Sequence, residues 1–164
     1  MNFTYAGDTE GYTYDFDGLL TGAGTFNITR NAANGLPESV SDGTFNLSRT
    51  FNGYGEVDSL DYTVLGTSLT SFDLTRDNAA RIMDKTETIA GATSNYIYTY
   101  DPMGRLLTVT KDSTLVEEYQ YNQNGTRTYE MNSLRGITGR TLTYSDEDHL
   151  LTAGTTAYQM WTDF

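Results

Sequence analysis

The 164 residues include one histidine, His149, and no cysteine. Any histidine-assisted nucleophile or histidine metal site would have to run through His149, and thiolate chemistry is absent. Carboxylates are more plentiful. Asp15 with Asp17, Glu117 with Glu118, and Asp146 with Asp148 lie close in sequence. A glycosidase would hold two such groups about 5–10 Å apart across a cleft. Asp15-Phe16-Asp17-Gly18 has the start of a calcium loop, but the ligand spacing that ends in Glu does not follow. Thirteen tyrosines offer ring faces for stacking. Tyr98, Tyr100, Tyr119 and Tyr121 are the candidates for a carbohydrate platform, and cross-strand aromatic ladders are the structural alternative.

The elements that carry these residues recur. Asp101-Pro-Met-Gly104-Arg105-Leu106 serves as a template. Asp15 to Leu20, Asn31 to Leu36, Asn52 to Val57 and Asp77 to Ile82 match it, Asn122 to Arg127 fits except at its last, apolar slot, and Ser145 to Leu150 fits with Asp148 in the Gly slot. The mean period is about 22 residues. The template is a turn. Asp or Asn at its first position bonds the backbone two residues on, Pro102 presets φ, and Gly at the fourth position takes positive φ. The turn residues are Asp15, Gly18, Asn31, Asn52, Gly55, Asp77, Asp101, Gly104, Arg105, Asn122 and Gly125. This register places Asp15 and Asp146 in turns. It also puts His149 in the slot of Arg81 and Arg105, so turn chemistry accounts for them without catalysis.

Before each copy, aromatic or apolar residues alternate with polar ones, the period of a half-buried strand. Gly22-Ala-Gly24, Asp42-Gly43, Ala90-Gly91-Ala92, Lys111-Asp112-Ser113, Gly136 with Gly139, and Ala153-Gly154 supply turns on the opposite edge. The expected fold is all-β: an antiparallel meander of repeated β-hairpins in a curved strip, with about 14 strands of about 5–8 residues. No helix is expected, and segment 58–71 is the least regular. The chain reads as a single array over 1–164, with about seven repeats in 12–158.

"YTYDPMGRLLTVT" at 98–110 closely resembles the YD-repeat, or RHS-repeat, pattern Tyr-Asp-x-x-Gly-Arg-Leu, and the likeness runs over about residues 12–158. The resemblance implies a section of a hollow β-hairpin shell. In large bacterial proteins of this kind the shell encloses a toxic C-terminal domain before delivery. It implies a structural, non-enzymatic role, a secreted or cell-surface location, and an effector or toxin domain or further repeats as partners. The family's self-cleavage motif has no counterpart here, so no catalytic residue is carried over.

The formal net charge of −12 repels nucleic acid and anionic membranes. No apolar run is long enough to span a bilayer, and residues 1–16 do not read as a signal peptide. No cofactor or metal is expected. Beyond the wall role, the alternatives are a carbohydrate-binding module and self-association of copies through open strand edges. After Tyr158 the repeat pattern breaks. Met160-Trp-Thr-Asp-Phe164 is either a divergent last strand or an out-of-frame tail, because a shifted frame permits Asp-Val-Asp-Gly-Phe. Sequencing the downstream DNA separates the two.

Overall fold

The computed structural model describes the backbone of residues 2–5 and 8–158, with side chains from residue 10 to residue 158. The break after Tyr158 therefore lies outside the described residues. The chain forms two compact units. One comprises Met1–Ala80 and Lys85–Ser94, the other Arg81–Asp84 and Asn95–Phe164. Strand order across the sheet follows chain order throughout.

The first unit contains β1 (Asn2–Tyr5), β2 (Asp8–Tyr14), β3 (Leu20–Ala23), β4 (Phe26–Arg30), β5 (Pro37–Ser41), β6 (Phe45–Phe51), β7 (Val57–Val64) and β8 (Thr67–Arg76). Then β9 (Ile82–Ile89) and β10 (Ala92–Tyr100) each contribute residues to both units. The second unit continues with β11 (Leu106–Lys111), β12 (Thr114–Tyr121) and β13 (Arg127–Asn132). After a 3-10 turn at Ser133–Arg135 come β14 (Ile137–Tyr144), β15 (Leu150–Ala153) and β16 (Thr156–Ala157). Neighbouring strands pair antiparallel, as short hairpin connections require.

Alternation gives the sheet two chemically different faces. In the first unit the register aligns Ile28, Val40, Leu47 and Tyr62 across β4 to β7. On that face Phe26 meets Phe45 edge-on at 5.8 Å between ring centroids, and Phe45 meets Tyr62 at 4.8 Å. In the second unit Val109, Val116, Leu142 and Ala153 are buried. The opposite face carries hydroxyl pairs whose first member lies two residues before the repeat turn. These are Thr13–Thr21, Thr29–Ser39, Thr50–Ser59, Thr99–Thr108 and Thr143–Thr152, at 2.6–3.1 Å. Cross-strand pairs of this kind stabilise a sheet by roughly 0.2–1 kcal/mol each.

Several local expectations require correction. Among the described residues sixteen strands form rather than about 14, and they run from 2 to 10 residues. Segment 58–71 is regular: β7 and β8 turn tightly at Leu65-Gly66, where φ is 50° and 76°. Leu in a left-handed turn position gives no sequence signal. Gly22 lies inside β3, and its chain reverses at Gly24 and Thr25 instead. Gly139 lies inside β14. The Tyr129 ring occupies the space a side chain there would need, with Cζ 2.9 Å from a Cβ position. The expected turn at Gly136 includes a short helical turn. Asn132 caps it by accepting from the Arg135 N–H at 3.0 Å, and Gly136 closes it at φ 70°.

The fourth turn position is held by Gly18, Gly55, Gly104 and Gly125 at φ 78°, 82°, 82° and 89°, but also by Ala80 and Asp148 at 63° and 60°. Ala80→Gly should therefore raise stability by about 1 kcal/mol, since an L-residue costs roughly 1–2 kcal/mol in this region. Gly18→Ala should lose a similar amount, with no atom within 4 Å of the new Cβ to complicate it. Urea midpoints of the two variants should move in opposite directions; a shared direction would contradict the backbone argument. Gly139→Ala should cost about 1–3 kcal/mol by overpacking against Tyr129, read as a lower melting temperature.

Candidate functional site

The chemistry-bearing residues gather along the edge formed by the repeat turns. In the 101–105 turn, Asp101 N–H donates to the Arg105 carbonyl at 2.9 Å, and Gly104 N–H donates to the Asp101 carbonyl at 2.9 Å. Asp101 Oδ1 accepts the N–H groups of Met103 and Arg105, both at 2.9 Å. One side-chain oxygen therefore satisfies two backbone donors that the sheet ladder cannot reach. Asp15 Oδ1 does the same for Asp17 and Leu19, and Asn52 Oδ1 for Tyr54 and Glu56. Asp77 Oδ1 accepts from Ala79, and Asn122 Oδ1 from Thr126. Ser145 Oγ accepts from Glu147 and His149 at 3.2 and 3.3 Å, a longer and weaker version.

Strands rejoin after five loop residues in these turns, as in the pairings Tyr14 with Leu20, Phe51 with Val57, Tyr100 with Leu106 and Tyr144 with Leu150. The 31–36 loop has six, because Arg30 pairs with Pro37. Its positive φ falls on Gly35, at 71°, rather than on Asn34, which corrects the six-residue alignment of that copy. Asn31 Oδ1 still accepts two N–H groups, from Ala33 and Asn34.

The residue immediately before a turn reaches back to the preceding repeat. Tyr100 donates its hydroxyl to the Ile82 carbonyl at 2.7 Å, and Tyr121 donates to Leu106 at 2.9 Å. Arginine makes the same connection in the first unit. Arg30 Nε and Nη2 donate to the Leu20 carbonyl at 3.1 and 2.9 Å. Arg76 Nη2 donates to Val57 at 2.8 Å while Nη1 bonds Asp58 at 2.8 Å. Each acceptor is the first residue after the previous turn, so each bond staples one repeat to the next.

Arginine in the fifth turn position adds a second staple. Arg81 lies over the Tyr100 ring at 4.8 Å and Arg105 over Tyr121 at 4.5 Å. Arg105 also donates Nε to Asp101 Oδ2 at 2.6 Å. Burial pulls the Asp101 pKa up, but the Arg105 N–H, side chain and charge, together with the Met103 N–H, hold it below the ordinary 3.8. Asp42, in a turn on the opposite edge, is lowered by the N–H groups of Phe45 and Thr44.

The four tyrosines considered for stacking are all half-buried. A cation covers one face of Tyr100 and Tyr121, and Arg127 approaches Tyr119 at 5.3 Å. Tyr98 pairs across the sheet with Val109. Tyr119 donates to Glu117 at 2.7 Å, and burial followed by that bond pushes its hydroxyl pKa up. Glu117 and Glu118 project to opposite faces, as their pairing with Val109 and Thr108 requires, so they form no carboxylate dyad. The His149 backbone carbonyl accepts from Ser145, the same place in its turn that Arg105 fills in another. Among the described residues no group of three or more His, Cys, Asp or Glu side chains is placed to hold a metal ion.

Sequence reasoning missed the staple and one ionic cluster. Buried Glu130 accepts from Arg140 Nε at 2.8 Å and lies 3.4 Å from Arg127 Nη2. The staple did have a signal: Tyr or Arg precedes Asp or Asn in "TYD", "TRN" and "TRD". The cluster had none, since it depends on which face each strand turns inward.

A family model described as Teneurin YD-shell matches residues 4–163. The chain belongs to the YD-shell family. Among solved structures, this YD-shell chain is similar to "Crystal Structure of TcdB2-TccC3-Cdc42" at 16% identity and TM-score 0.60. It is also similar to "Crystal Structure of TcdB2-TccC3-TEV" at 17% identity and TM-score 0.60. Each alignment covers 93% of this chain and 8% of the other, a likeness of fold. No curated protein matches it.

Tyr121→Phe keeps the ring beneath Arg105 and deletes the bond to Leu106. The expected loss is about 1 kcal/mol in urea unfolding; an unchanged midpoint would remove the staple from the stability account. Because the folded Asp101 pKa is lowered, its contribution is complete above 3.8 and disappears as pH falls through the lowered value. Asp101→Asn keeps the Oδ1 acceptor that Asn52 and Asn122 use. It should reduce the fall in urea midpoint between neutral pH and about pH 2; an identical fall in both proteins would contradict the assignment.

Proposed function

We infer that the chain is one continuous repeat array serving as a section of a containing wall. What supports this most directly is the staple, because each repeat's added contacts go to its neighbour rather than to a central site. Stability of such an array is a sum over nearest neighbours, which suits a wall and not a pocket. A second observation agrees. Among the described residues the buried apolar side chains are only Val109, Val116, Leu142 and Ala153, and the rest of the apolar face remains half-buried or exposed. A self-contained binding domain or enzyme ordinarily packs two layers around a core.

In this reading the wall section is non-enzymatic, lies outside the cell or at its surface, and helps enclose or scaffold a toxin or effector domain. The TcdB2-TccC3 structures supply the fold analogy, and the cargo is part of the proposal rather than of the likeness. Two measurements test it. The surrounding DNA should encode further YD repeats and an effector; a locus with neither would defeat the reading. A protein extended by its adjoining repeat should unfold at higher urea than the 164-residue chain, because a new staple forms; equal midpoints would count against nearest-neighbour coupling.

A further inference from the structure

An open groove of about 750 Å³ separates two successive turns of the first unit, lined by Asn52, Tyr54, Glu56, Arg76, Asp77 and Asn78, with Ala80. That volume lies within the roughly 300–1,000 Å³ of sites that take small ligands or side chains. A smaller groove of about 400 Å³ lies between the 101–105 and 122–126 turns of the second unit. There the aromatic wall already has its cation, since Arg105 lies 4.5 Å above the Tyr121 ring. In the first groove the aromatic is Tyr54, which is 92% exposed. Among the described residues nothing engages its ring or hydroxyl.

The surroundings favour a positive guest. Residues 1–80 hold eleven carboxylates and three arginines, so their formal balance is 3 − 11, or −8. Arg30 donates to the Leu20 carbonyl, whereas Arg76, in the groove lining, donates to Val57, bonds Asp58 at 2.8 Å and lies 3.8 Å from Glu56. Glu56 accepts from Asn52 Nδ2 at 2.7 Å and pairs with Arg76, yet keeps 37% of its side chain exposed at the groove, and Asp77 stands in the opposite wall. The molecule repeatedly sets a cation over a tyrosine: Arg81 on Tyr100, Arg105 on Tyr121, Arg127 on Tyr119 and Lys111 on Tyr96.

We propose that the groove between residues 52–56 and 76–80 docks an arginine or lysine side chain from an extended segment of a partner protein. The cation lies over the Tyr54 ring with its charge facing Glu56 and Asp77, and the Asn78 side-chain amide meets the segment's main chain. An exposed cation over a tyrosine contributes modestly by itself, so the surrounding acidity supplies the attraction at range. The site does not require the wall role, and the wall role does not require the site.

The test uses the intact chain and the probe peptide Ac-Gly-Arg-Gly-Arg-Gly-amide. Its citrulline counterpart, equal in shape but uncharged, is the control. In an amide NMR titration the arginine peptide should shift the signals of Tyr54, Gly55, Glu56 and Asn78, and the citrulline peptide should not. Tyr54→Leu should weaken binding about two- to fivefold, while Tyr54→Phe should retain it. A melting curve on each variant checks folding; this fully exposed turn-tip residue should leave it unchanged. Equal binding by the citrulline peptide would overturn the proposal. So would shifts spread over the acidic surface without dependence on Tyr54, or no shift at all. None of these outcomes bears on the flanking-repeat tests of the wall role.

Discussion

The fold depends on one recurring bond, from the residue before a turn to the first carbonyl after the previous turn. A hairpin turn with a bulge leaves polar backbone groups outside the regular ladder, and a buried unpaired carbonyl is costly. Tyr100 and Tyr121 answer that need with a hydroxyl, Arg30 and Arg76 with a guanidinium. The donor types differ in length and charge, yet both reach the same acceptor position. At these four turns the place is filled by a donor on the apolar face, whereas Phe51, before the 52–56 turn, supplies only its ring. Tyrosine fills the place with a ring that also packs beside the strand, and arginine with an extra branch free to bond Asp58 or Gly35.

The Asx bonds at the turns work on a different link of the same chain. They fix the local path of the backbone, so the strand returns in register and presents the donor correctly. The Arg105 stack then couples the two levels, because one side chain bonds its own turn through Asp101 and covers the next repeat's Tyr121. Sequence, turn geometry and inter-repeat packing thus meet in the Asp-x-x-Gly-Arg unit. The hydroxyl pairs on the other face contribute smaller terms, placed where neither face needs an apolar residue.

Much of this was legible in the residues. The turn template rests on short-range chemistry, namely an acceptor at the first position and a residue tolerant of positive φ at the fourth. Both are visible in one dimension. Leu65-Gly66 was not, because a leucine at φ 50° follows no local preference and is held there by the pairing of β7 with β8. The six-residue loop at Asn31 was misaligned because Asn34 and Gly35 can each accept positive φ, and only the strand pairing chooses between them. The tyrosines were recognised as strand residues, but the cations above them come from positions up to about one repeat away, a distance at which alternation carries no information. The groove beside Tyr54 depends on the separation of two turns and has no signature within either.

Because each staple reaches back only one repeat, the number of repeats is not encoded in any of them. A duplication of one unit in the gene would supply both halves of a new junction, an acceptor carbonyl for the repeat that follows and a donor for the one before. A deletion of one unit would bring an old donor to an equivalent acceptor. Length could thus drift over generations in whole-hairpin steps without any compensating change at a distant position, a freedom that a domain folded around one shared core does not have.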